Sequence, residues 1–217
     1  MYYFFLISYT ILGAGIKYID EAFDEKIFNK KNALVLAPIF GVLWAFTMLI
    51  NPVSATILLA VLCGVFFKGK IDNLAHLAGF IIIMALIVIG GVEIMIIPLI
   101  FLGISAFIDE VGNDIIDKYK SRLNDNNYLH NFLIKFFDHR WFMKTAILVM
   151  VIIGIIPILF FLAMVFFDYS YLAVRIYSKN KQRKIDSLKN IRSYKVCNAI
   201  SSAIVIKSTT SDVSNES

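Results

Sequence analysis

The chain has 217 residues, 59% of them apolar and only 17% charged. That balance excludes a soluble domain with a solvated surface, and the length leaves room for six or seven membrane passes and little else. The net charge of +5 would point to nucleic acid in a soluble protein. Here the basic residues flank apolar runs, where they report topology and anionic headgroups, so the expected partners are membrane lipids and no nucleic acid.

Met1 to Ile16 is apolar from its first residue, with no basic leader and no small-residue cleavage pattern after it, and reads as a retained helix rather than a signal peptide. Apolar runs cover 1–19, 33–50, 53–67, 74–90, 92–108 and 145–177. Asn51-Pro52 is a turn between the second and third. Gly90-Gly91, followed by Glu93, splits an apolar stretch too long for one ordinary pass. The last run is either one long helix or two short ones meeting near Gly154 to Pro157. Cys63 lies in an apolar span and Cys197 in the polar tail, so no disulfide is implied.

Charge chooses between the two forms of the last run. Of the 21 basic residues, four fall in 17–31, two are Lys68 and Lys70, six lie in 118–144 and nine between Arg175 and Lys207. The connections at Asn51-Pro52 and Gly90 to Glu93 carry none, which is the alternation of the positive-inside rule. One crossing by 145–177 would put the six-charge loop and the nine-charge tail on opposite faces; a hairpin puts both inside. The expected fold is therefore an all-α, polytopic transmembrane helix bundle of about seven spans over 1–177, N-terminus out and C-terminus in, in a cell membrane. A polar basic tail follows over 178–217, Ser/Thr-rich from Ser208 and read as disordered toward its end. A re-entrant or interfacial segment near Asp168 to Tyr177 is the alternative there.

Two spans end alike. Leu12-Gly13 leads to Tyr18-Ile19-Asp20-Glu21, and Leu102-Gly103 to Phe107-Ile108-Asp109-Glu110, followed by Asp24 and Glu25 in one copy and Asp114 and Asp117 in the other. Four spans apart, the copies share an orientation, which suggests a parallel internal repeat. If the stretches continue as helix, Asp20 with Asp24, and Glu110 with Asp114 and Asp117, fall on single faces. Such carboxylates repel one another unless a cation sits among them; Mg²⁺ accepts carboxylate oxygens and bridges them to a phosphorylated ligand. The plainer reading is interfacial acids balanced by Lys17, Lys26, Lys30, Lys31, Lys118 and Lys120. A third polar cluster runs Lys68-Gly69-Lys70-Ile71-Asp72-Asn73, with His76 one turn after Asp72. Its lysines either snorkel or hold a diphosphate, and His76 reads as a hydrogen-bonded or interfacial histidine.

This layout resembles the UbiA-type intramembrane prenyltransferases, which carry two aspartate-rich cytoplasmic motifs four helices apart and a basic, Asn-containing loop between them. Asn113-Asp114-Ile115-Ile116-Asp117 looks like the NDxxD core of such a motif, and Lys68 to Asn73 stands where the intermediate loop would be. Ser121 stands where a further Asp is often found, and Phe28 where the last acid of the first motif would fall. The resemblance implies Mg²⁺ on Asp20, Asp24, Asp114 and Asp117, with Lys68, Lys70, Asn73 and Asn113 on the diphosphate of a prenyl or polyprenyl donor. The expected activity is prenyl transfer at the cytoplasmic face. The alternatives are a non-catalytic membrane protein of UbiA-like descent and a small-molecule or lipid transporter. Against transport stands the lack of a mid-membrane ionisable residue, with Asp168 and Glu93 placed at turns or span ends.

Overall fold

The computed structural model describes residues 2–25, 27–67, 73–119, 132, 136–137 and 141–213, with side chains throughout except for Tyr2, Asn113, Asp117, Tyr119 and 190–213. Among the described residues there is no strand, and seven helices follow one another: α1 Tyr2–Phe23, α2 Lys30–Ile50, α3 Pro52–Phe67, α4 Leu74–Gly90, α5 Ile96–Tyr119, α6 Trp141–Ile152 and α7 Ile158–Val213.

The boundaries follow from local chemistry. Asn51 caps α3: its Oδ1 accepts from the backbone of Val53 at 2.9 Å and Ser54 at 3.2 Å, while Pro52 takes the first helical position, where no N–H is needed. Gly91 ends α4 in the left-handed region at φ 66°, its N–H bonded to Ile87 O. The long apolar run breaks where the turn signals place it: α6 stops at Ile152, Gly154 adopts φ 84°, and α7 starts one residue after Pro157. The last stretch is thus two helices rather than one.

The chain divides into two compact units, Met1–Arg175 and Ile176–Ser217. In the first, α2 packs most extensively on α4 and α3 on α5, with α1 against α2 and α5 against α6. Small residues make the closest approach. A Cβ on Gly41 of α2 would lie 2.9 Å from Gly79 O of α4, and one on Gly13 of α1 only 2.1 Å from Phe167 O of α7. Such backbone contact is how helices associate where no hydrophobic force drives them together. Contacts also sort the connections. The hydroxyls of Tyr9 and Ser54 share a hydrogen bond at 3.1 Å, Met95 N donates to Thr56 Oγ1 at 3.0 Å, and Phe5 meets Phe160 edge-on at 5.1 Å. These gather the connections at Asn51, Gly91 to Met95 and Ile153 to Pro157, all without Lys or Arg, at one end of the unit.

The helices bury one apolar face and expose another. On α2, Trp44, Ala45 and Met48 are buried, while Val35, Ile39, Val42 and Phe46 are each at least half exposed. Among the described residues, three helices are long and apolar enough to cross a membrane: Lys30–Ile50, Ile96–Ile116 and Ile158–Lys189. The expectation of about seven spans meets shorter elements elsewhere. α3, α4 and α6 have 16, 17 and 12 residues, and at 1.5 Å per residue α6 extends about 18 Å, short of a hydrocarbon core of about 30 Å. In the second unit the backbone of α7 continues as helix to Val213, through the Ser/Thr-rich stretch after Ser208.

Candidate functional site

The strongest site is a cavity of about 120 Å³ walled by α1 to α4 and the first part of α7. Ala37 and Gly41 on α2, and Ala75 and Gly79 on α4, line one side of it. Ile19, Phe40, Val61, Ile83 and Phe167 complete an apolar wall. Its polar residues are few, namely Asp20, His76, Tyr171 and the indole of Trp44.

Three of them form one contact. Asp20 stands in the last turn of α1. Asn73 caps α4, its Oδ1 accepting from His76 N at 2.9 Å, and so sets the turn that carries the imidazole. His76 Nε2 lies 2.7 Å from Asp20 Oδ1 and donates to it, since an ionised carboxylate only accepts. The Tyr171 hydroxyl donates to Asp20 Oδ2 at 3.4 Å, a long bond. Beside it, Lys17 pairs with Glu21 at 2.9 Å and lies 5.3 Å from the centroid of the Tyr171 ring. One end of the cavity is thus a charged hydrogen-bonding mouth. The other end, at Trp44 and Ile83, is apolar.

The second acidic stretch does different work. Asp109 and Glu110 are buried. Asp109 accepts from the first amides of α6, Phe142 N at 3.0 Å on Oδ1 and Met143 N at 2.7 Å on Oδ2. A carboxylate facing those N–H groups satisfies donors with no intrahelical partner and complements the helix dipole. Asp109 and Glu110 border a gap of about 10 Å³ that shares Val61 and Val65 of α3 with the larger cavity.

The proposed metal and diphosphate residues are placed as follows. Asp20 is at the cavity mouth. Asp24 is exposed, just past the end of α1, its N–H still bonded to Asp20 O at 2.9 Å. Asp114 is exposed on α5, which continues through Tyr119 as the spacing argument supposed. Asn73 serves as a cap. Lys68 and Lys70 lie outside the described residues, and Asn113 and Asp117 are described in backbone only. Among the described residues, no group of three or more His, Cys, Asp or Glu side chains converges as a metal cage would.

Sequence reasoning did not find the buried ion pair between α6 and α7. Lys144 Nζ is 2.8 Å from Asp168 Oδ2, both side chains are nearly inaccessible, and the ammonium lies 4.9 Å from the centroid of the Trp141 ring. Asp168 is inside α7 rather than at a turn or span end, and Lys144, counted as a loop charge, is inside α6. A signal was available: the two opposite charges stand about equally far on either side of the Gly154 to Pro157 turn, so an antiparallel hairpin brings them together.

No family model matches the chain, and no curated protein or solved structure does.

Proposed function

We propose that this chain is a multi-pass membrane protein that binds one amphiphilic, lipid-like molecule in the cavity between α1 and α4. The apolar body lies among Val61, Ile83 and Phe167, and the polar end lies at Asp20, His76 and Tyr171. The carrying observation is the Asp20–His76 contact of 2.7 Å at the mouth of an otherwise apolar space. Concave, mostly apolar pockets with a few convergent polar groups are the usual form of a small-molecule site. The membrane reading is supported by the three long apolar helices and by the exposed apolar faces, which lipid solvates and water does not. The alternation of basic and uncharged connections supports an external N-terminus and a cytoplasmic tail.

A carboxylate at the mouth accepts hydrogen bonds, so the head it favours is a donor such as a hydroxyl or an amine. A bare diphosphate would face the charge of Asp20 and needs an intervening cation. The narrower reading, Mg²⁺-dependent transfer from a prenyl diphosphate, is favoured by Asp20 standing at the end of the cavity where the first acidic motif of such an enzyme would lie. In that reading Asp20, Asp24, Asp114 and Asp117 would hold the metal, which would supply positive charge to offset that of a diphosphate.

Binding of farnesol and of farnesyl diphosphate to purified protein in detergent, with MgCl₂ and with EDTA, separates these readings. The binding reading expects saturable farnesol binding in EDTA that is lost in the cavity-filling variant Val65→Trp. The transferase reading expects diphosphate binding that requires Mg²⁺ and collapses in Asp114→Asn. Absence of saturable binding by both probes rejects the site.

A further inference from the structure

The second unit has a chemistry of its own. Between Ile176 and Lys189 the chain carries five basic residues, Lys179, Lys181, Arg183, Lys184 and Lys189, against one acid, Asp186. All lie on the continuous helix α7. The acid is taken up by Gln182, whose Nε2 donates to its two oxygens at 3.1 and 3.3 Å. Lys179, Arg183, Lys184 and Lys189 are exposed, and none of the four pairs with an acid among the described residues. Lys179 and Arg183 stand four residues apart, a like-charge spacing that destabilises a helix unless anions lie alongside.

The level of these charges relative to a bilayer follows from helix length. A hydrocarbon core of about 30 Å takes about 20 residues at 1.5 Å each. Counted from Ile158, where α7 starts beside a connection without Lys or Arg, those residues end near Tyr177, an aromatic side chain of the kind that marks an interface. The stretch from Ser178 to Lys189 then rises about 18 Å. That is close to one headgroup layer of about 6 Å plus a screening length of about 8–10 Å. Even a helix running straight out of the bilayer therefore keeps these charges within electrostatic reach of the headgroups.

We infer that residues 178–189 form a binding arm for the anionic phospholipids of the cytoplasmic leaflet, with Lys179, Arg183, Lys184 and Lys189 drawing lipid phosphates to the end of the apolar part of α7. The inference rests on the membrane reading and is independent of the cavity and its ligand. Lipid is the occupant because the arm leaves directly from the bilayer, so headgroups face it at an effective concentration that a soluble polyanion does not reach. Lysines act as point charges, so the selectivity is for negative charge rather than for one headgroup.

The test uses the full chain in lipid nanodiscs, with Cys63 and Cys197 replaced and a fluorophore attached through Ser187→Cys. Quenching by a lipid with a nitroxide headgroup reports how closely the arm approaches the surface. Discs of phosphatidylcholine are compared with discs in which part of it is replaced by phosphatidylglycerol. The expected result at low ionic strength is about twofold or greater quenching in the anionic discs relative to the neutral ones. The difference should vanish at about 1 M salt, where the screening length falls to about 3 Å. It should also vanish when Lys179→Gln, Arg183→Gln, Lys184→Gln and Lys189→Gln are combined; the salt titration, made with the native basic residues, does not depend on that variant folding. Equal quenching in the two kinds of disc, or a difference that survives high salt or the fourfold variant, overturns the inference. So does a fluorophore that responds to polyuridylate and not to phosphatidylglycerol, which would make the partner a nucleic acid. Failure of the chain to enter the discs rejects the membrane reading, and the inference with it.

Discussion

Asp109 grips the start of α6 with both carboxylate oxygens, holding Phe142 N at 3.0 Å and Met143 N at 2.7 Å. Its counterpart in the first acidic stretch, Asp20, instead meets His76 at the cavity mouth. Two short sequences that look alike therefore serve different purposes: one ties two helices together, the other offers a carboxylate to a pocket.

From the Asp109 contact we expect Asp109→Ala to lower the unfolding free energy in detergent by about 1–2 kcal/mol, the usual loss for a helix cap at a partly buried N-terminus. Asp114→Asn, on the exposed face of the same helix, should change it by less than about 0.5 kcal/mol. Equal effects of the two would remove the capping role.

The Lys144–Asp168 pair predicts strong coupling. Lys144→Met or Asp168→Leu alone leaves a buried charge without its partner and should cost about 3–5 kcal/mol. The double variant should recover most of that loss, since the apolar replacements sit in surroundings already apolar. A double-mutant cycle on unfolding free energies measures this, and simple additivity would show that the pair is not coupled.

Close packing of α1 on α7 depends on Gly13. Gly13→Ala puts a methyl into Phe167 O and should destabilise by roughly 1–3 kcal/mol through forced separation of the helices. Gly103→Ala on α5 meets nothing within 4 Å and should be neutral or slightly stabilising. Thermal unfolding of the two variants side by side reads the contrast.

Topology is tested by thiol labelling in sealed cells, after replacing Cys63 and Cys197. Single cysteines at Asn126 and Ser187 should both be protected from an impermeant reagent. Protection of only one would mean that α6 and α7 do not return the chain to the same face.

The sequence by itself determined the helical class and the breakpoints, because both are local. Asn51-Pro52, Gly90-Gly91 and Gly154 to Pro157 end helices through backbone geometry that needs no distant partner. The break in the last apolar run was legible in the same way, from Gly154 and Pro157 between Ile152 and Ile158. Only the tertiary structure decided what the polar residues do. Asp20 and Asp109 have the same neighbours in sequence, yet their roles depend on which helix arrives opposite them, α4 with His76 in one case and the amide end of α6 in the other. The cavity was illegible for the same reason. It is enclosed by residues of five helices, among them Asp20, Gly41, Val61, Gly79 and Phe167, and a space between helices is a property of their packing rather than of any one of them.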